Sequence, residues 1–83
     1  MFSKLPDDTD FEDITSDGIY TVYTGTNSPS GTKAYFCVIV LTFNGDKNYV
    51  TQIITYMGNL NLYIRRRNNG NWGAFHKLTP TEV

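Results

Sequence analysis

Between residues 19 and 78, short runs of β-branched and aromatic residues are punctuated by Gly, Asn and Pro, the pattern of strands joined by turns. Ile19-Tyr20-Thr21-Val22-Tyr23 reads as a first strand, and residues 25–32 are too polar and too rich in Gly, Asn and Pro to be anything but a loop. Ala34 to Phe43 is the most hydrophobic stretch. It does not alternate, because apolar side chains occupy both its odd and its even positions, so it predicts a strand covered on both faces. Asn44-Gly45-Asp46 is a hairpin signal. Tyr49 to Met57 returns, with Tyr49, Thr51, Ile53, Thr55 and Met57 on one side, and Gly58-Asn59 turns the chain again. From Leu60 to Arg66 the alternation places Leu60, Leu62 and Ile64 inward and Asn61, Tyr63 and Arg65 outward. Asn68-Asn69-Gly70 predicts a third turn, and Trp72 to Leu78 a last strand before a polar tail over 80–83.

Ahead of these strands, residues 1–9 form a lead-in with a turn at Pro6-Asp7-Asp8. Thr9 to Ile14 predicts one helical turn, capped by Thr9 or Asp10 and carrying acids in its first turn, where the helix dipole favours them. Phe11 and Ile14, three apart, share a face of it, and Gly18 is the expected stop. The chain is therefore expected to be all-β for the most part. It reads as a small antiparallel β-meander or sandwich of about five strands with one short helical turn, its domain spanning 10–79. A single sheet of this size cannot cover both of its faces with one helical turn. Either the sheet folds into a small sandwich, or a second subunit covers the outer face of the Ala34–Phe43 strand; the second is favoured.

Composition strengthens that preference. Eighty-three residues make one domain, and a chain of this size buries only roughly 60–65% of its unfolded surface. Cys37 is the only cysteine and His76 the only histidine, so neither an intrachain disulfide nor a zinc cluster is available as a staple. Self-association is the one left. The formal charge of −1 hides an asymmetry. Residues 1–18 hold six acids against Lys4, and the remainder holds six bases against Asp46 and Glu82. The acidic opening segment is placed to lie against the arginines of its own or a neighbouring subunit. No basic-then-apolar signal peptide opens the chain, and its longest apolar run is too short for a membrane-spanning helix, so a soluble protein without membrane insertion is expected.

Several features in order resemble the pyocin-knob type of phage and prophage tail-fibre domain. Asp10-Phe11-Glu12-Asp13-Ile14 followed by Asp17-Gly18-Ile19-Tyr20 is similar to the opening of such knobs, where a short acidic turn leads into a Gly-x-Tyr strand. The loop with Asn27 and Pro29, the long hydrophobic strand, Tyr49-Val-Thr-Gln-Ile53, Tyr63-Ile-Arg65 and the ending Trp72-Gly-Ala-Phe75-x-x-Leu78 follow in the family's order. The resemblance covers roughly residues 10–78. One departure is that Phe75 stands where the family commonly carries a second tryptophan. The resemblance implies a knob at the tip of a homotrimeric virion tail fibre, with a shaft upstream. It implies contact with a host-cell surface glycan or polymer, and no enzymatic activity or cofactor.

Among individual residues, Tyr63, Arg65 and Arg67 share one face of their strand and are the candidate ligand-binding set, arginine forks suiting carboxylates, phosphates and anionic glycans. The plainer reading pairs these arginines with the acidic segment or leaves them solvated. Trp72 and Phe75 read mainly as core, where a lone Trp supplies the largest single burial, and His76 faces the other way, exposed. No Ser or Cys stands near His76 to suggest a triad, and the acids do not read as a catalytic pair. Asp8-x-Asp10-x-Glu12 fails as a calcium loop, because Asp13 stands where Gly is needed and Ile19 where Glu is needed. Two alternatives accompany the knob. One is a single-stranded nucleic-acid-binding barrel using Tyr56, Tyr63, Trp72 and the arginines as a stacking platform, disfavoured by a pI near 5.6. The other is a purely structural trimerisation cap.

Overall fold

The computed structural model describes residues 2–83. Seven strands run in one mixed sheet: β1 (Phe2–Lys4), β2 (Gly18–Thr24), β3 (Ala34–Phe43), β4 (Asp46–Tyr56), β5 (Leu62–Asn68), β6 (Asn71–Trp72) and β7 (His76–Leu78). They lie in the order β1-β2-β3-β4-β5-β6, with β7 also on β5. Only the β1–β2 pair is parallel. Two of the expected turns are two-residue hairpins, Asn44-Gly45 between β3 and β4 and Asn69-Gly70 between β5 and β6. Both central residues have positive φ in each (56° and 76°, then 52° and 80°), the type I′ geometry that matches strand twist and that Asn-Gly adopts at least cost.

The core lies on one face only. Val22, Phe36, Val38, Val40, Val50 and Ile54 point to that side and are buried. Above them sits a 3-10 turn at Phe11–Asp13, capped by Asp10, whose carboxylate accepts from Glu12 N at 2.8 Å. Phe11 is fully buried, its ring edge-on to Phe36 at 5.1 Å, and Ile14 is buried beside it. Three bonds fix the turn laterally: Phe11 N donates to Thr26 O at 3.1 Å, Thr24 Oγ1 to Thr9 O at 2.7 Å, and Asn27 Nδ2 to Asp10 at 2.9 Å. The helical turn, its cap and its Phe11/Ile14 face are as the sequence predicts.

Other expectations change. The chain is mostly β, as expected, and of the two alternatives the sheet is single and not a sandwich; it has two strands beyond the expected five. The lead-in adds β1 at one edge, and the last strand is split into β6 and β7. Gly18 does not stop the helical turn, which ends at Asp13; it opens β2 instead. Inside and outside are exchanged on β5. Tyr63 and Arg65 face the core at 8% and 5% exposure, while Leu62 is 40% exposed and Leu60, before the strand, 84%. Register explains the exchange, since β4 sets Ile54 opposite Tyr63 and Gln52 opposite Arg65. The buried face of β4 thus dictates the buried face of β5. The partner apolar phase of β5 then points to the uncovered side, where it meets other apolar side chains.

Candidate functional site

The split of the last strand is a one-residue insertion. Arg67 pairs with Trp72, but Ile64 pairs with His76, so one extra residue lies between the two pairings. Gly73 N donates to Arg66 O at 2.9 Å within this bulge. In a regular strand residues 72 and 75 would face opposite sides; the extra residue turns both rings to the side of Arg65. The Arg65 guanidinium is sandwiched, its Cζ 4.0 Å from the Trp72 ring centre and 4.2 Å from that of Phe75. Stacked guanidinium–aromatic contacts of this kind gain both dispersion and cation–π attraction.

Arg65 Nε donates to Gln52 Oε1 at 2.8 Å, and Gln52 Nε2 donates in turn to Phe11 O at 2.8 Å and Ile14 O at 2.9 Å. Burial pushes the Arg65 guanidinium down to about 10, with Glu12 and Asp10 in the overlying turn opposing that shift. It remains charged at neutral pH. The acidic opening segment therefore does lie over an arginine, acting through its field without a direct ion pair. The ion pair within 4 Å among the described residues is Lys33–Asp8, at 2.9 Å.

Tyr63, Arg65 and Arg67 do share one face, as the alternation predicts, but it is the covered face. Tyr63 and Arg65 are buried, which leaves a ligand little of either side chain to touch. Arg67 is half-buried at the sheet end, where its Nη1 donates to Lys47 O at 3.2 Å and its Nε makes no hydrogen bond within the chain. Trp72 and Phe75 are half-buried against the core, as expected, and His76 is exposed on the opposite side. Gln52, the residue that ties the site together, escapes sequence reasoning. The signal was a polar side chain in the apolar phase of Val50 and Ile54.

The second feature is the outer face. Ile19, Ile39, Ile53 and Ile64 are successive partners across β2, β3, β4 and β5, forming a row of isoleucines on the uncovered side. Around the row, Tyr35, Leu41 and Phe43 are exposed at 66%, 54% and 69%, with Tyr49, Leu62 and Leu78 also exposed. At one end Tyr23 and Tyr35 stack at 4.4 Å, with Lys33 over Tyr23. They border an open groove of about 500 Å³ that runs toward Tyr56 and Met57. An aromatic side chain covers about 150–250 Å² when buried, so Tyr35 and Phe43 alone offer on the order of 200–300 Å². With the remaining apolar side chains the face goes beyond the roughly 300–600 Å² of the largest patch on a typical monomer.

No three His, Cys, Asp or Glu side chains converge to hold a metal ion among the described residues, and no described helix is long and apolar enough to cross a membrane. Comparisons with protein-family models, curated proteins and solved structures return no match.

Proposed function

We propose that the chain is a non-enzymatic knob domain of a phage or prophage tail fibre, assembling as a homotrimer through its outer sheet face and attaching to a host-cell surface glycan. The observation that carries this reading is the contrast between the two faces of one sheet. One is closed by the chain's own 3-10 turn. The other presents a cross-strand isoleucine row flanked by Tyr35, Leu41 and Phe43. Each partner in a stable interface covers roughly 800 Å², a scale this face approaches.

The occupant is a further copy of the same chain. Cys37 is a free thiol among the described residues, and the domain is small. The outer face is central and carries few charges, Lys4 and Arg66 being the cations that the strand pairs among the described residues place on it. Three such faces turned toward a common axis bury one another without requiring a second protein. The family resemblance over residues 10–78 supports the same arrangement and supplies the fibre context.

The nucleic-acid alternative loses support from the same geometry. Its stacking platform requires Tyr63 and Trp72 to be free, whereas Tyr63 is buried and one face of Trp72 is occupied by Arg65. Light scattering on the purified protein at micromolar concentration tests the assembly and is expected to return three times the chain mass. Fluorescently labelled trimer is expected to decorate host bacteria; a monomer, or a trimer that decorates none of a broad strain panel, contradicts the reading.

A further inference from the structure

At the sheet end opposite the tyrosine groove, a pocket of about 420 Å³ lies between the 3-10 turn and the β5–β6 hairpin. Glu12 and Asp13 come to it from the turn, Lys47 from the start of β4, Arg67 from β5, and Gly70 and Trp72 from the hairpin. Its volume falls within the roughly 300–1,000 Å³ of small-molecule sites. It belongs to the covered side of the sheet, so packing through the outer face leaves it open.

Its chemistry is mixed in a specific way. Two carboxylates and two cations line one small space, and their charges cancel. A ligand with net charge of either sign is attracted by one pair and repelled by the other, so net charge gains it nothing. A neutral ligand with adjacent hydroxyls fits both: each hydroxyl donates to a carboxylate and accepts from an ammonium or guanidinium N–H. Trp72 adds an indole at the edge of the same space, held in place from behind by Arg65 at 4.0 Å. Arg67 sits 5.6 Å from the Trp72 ring, its guanidinium anchored by the bond from Nη1 to Lys47 O at 3.2 Å. Gly70 keeps the hairpin tight there, with φ of +80° and its N donating to Asn48 O at 3.1 Å.

We infer that this pocket is a saccharide subsite. It takes an uncharged sugar unit with vicinal hydroxyls, held between Glu12/Asp13 and Lys47/Arg67 beside Trp72. The inference rests on the knob reading for its biological sense and deepens it by moving the ligand site away from Tyr63 and Arg65. Of the residues that the strand pattern nominated, Arg67 alone touches ligand here. Arg65 is a positioning residue, acting through the Trp72 ring.

The test is a ¹H–¹⁵N NMR titration of the full chain with glucose, galactose, mannose and N-acetylglucosamine, with N-acetylneuraminic acid and glucosamine as charged controls. At least one neutral sugar is expected to shift the Trp72 indole and Gly70 amide signals saturably, and more strongly than either charged control. Glu12→Gln and Lys47→Ala, both at exposed positions, are expected to keep a folded spectrum. Each is expected to weaken binding about tenfold, the worth of one charge-assisted hydrogen bond. Shifts confined to the outer face, no shifts with any neutral sugar, or unchanged affinity in both variants would overturn the subsite. Cell decoration separates the two proposals. If trimer carrying both substitutions decorates bacteria as well as the unsubstituted protein, the knob reading stands and the subsite falls. If the neutral sugars bind at Trp72 while no strain is decorated, the subsite stands and the knob reading falls.

Discussion

Gln52 and Arg65 are direct cross-strand partners on β4 and β5, joined side chain to side chain by a 2.8 Å bond from Arg65 Nε to Gln52 Oε1. The relationship matters because Gln52 is fully buried and spends its amide N–H groups on Phe11 O and Ile14 O. A single side chain thereby connects the sheet, the overlying turn and the guanidinium under Trp72.

Replacing Gln52 by Met keeps the volume and removes every one of these bonds. Ile14 O and a charged N–H lose their partner, each at about 1–3 kcal/mol, while Phe11 O keeps its bond from Ile14 N at 3.2 Å. The expected loss is about 2–5 kcal/mol out of a total of about 4–12 kcal/mol for a domain of this length. Urea unfolding measures it directly. A loss below about 1 kcal/mol would mean that packing of Phe11 alone holds the turn.

Arg65→Lys tests the stacked guanidinium. Lysine has no Nε donor in place and no planar group to lie between two rings, so a loss of about 2–4 kcal/mol is expected at pH 7. The substitution also introduces a pH dependence. A buried ammonium between aromatic rings has its pKa lowered relative to the unfolded chain, so above that folded value the unfolded state binds more protons and stability rises with pH. The Arg65 guanidinium titrates only near about 10. Between pH 7 and pH 9 the gap between Arg65→Lys and the unsubstituted protein should therefore narrow. Unfolding midpoints across that range, read by the single tryptophan, decide it; a constant or widening gap would contradict the buried placement.

The turns offer a smaller, cleaner check. Asn44 has φ of 56° in its hairpin, a left-handed conformation that Gly adopts freely and β-branched residues resist. Asn44→Gly should leave thermal stability nearly unchanged. Asn44→Val should cost about 1–2 kcal/mol, seen as a lower midpoint on heating without loss of the native fold.

These sites differ in how far the sequence alone discloses them. The Asn-Gly hairpins, the Asp10-capped turn and the bounds of β3 are legible because each rests on local chemistry: a φ preference, a capping side chain, a run of branched residues. The facing of β5 is not local. Leu62 and Ile64 alternate with Tyr63 and Arg65, and when both sides of a sheet are apolar, alternation gives the phase but not which side is in. Only the pairing with Gln52 and Ile54 decides that. The inserted residue between Trp72 and Phe75 is likewise invisible, since Gly73-Ala74 reads equally well as continuous strand. Without it the two rings diverge, and the enclosure of Arg65 cannot be inferred.

The outer face gives the most decisive prediction, because assembly and folding can be separated there. Ile39 is central in the isoleucine row, between Ile19 and Ile53, yet 38% exposed in the single chain. An aspartate at that position costs the isolated domain little, since its carboxylate can reach water. In a packed trimer the same carboxylate is buried near its symmetry mates, without a counter-ion, at several kcal/mol per charge. Ile39→Asp should therefore convert the trimer to a monomer at micromolar concentration while leaving the β-sheet circular dichroism intact. Val38→Asp, one residue away on the covered face and fully buried, should instead abolish folding altogether. If Ile39→Asp and the unsubstituted chain show the same mass by light scattering, the outer face is not the interface, and the assembly half of the proposal fails with it.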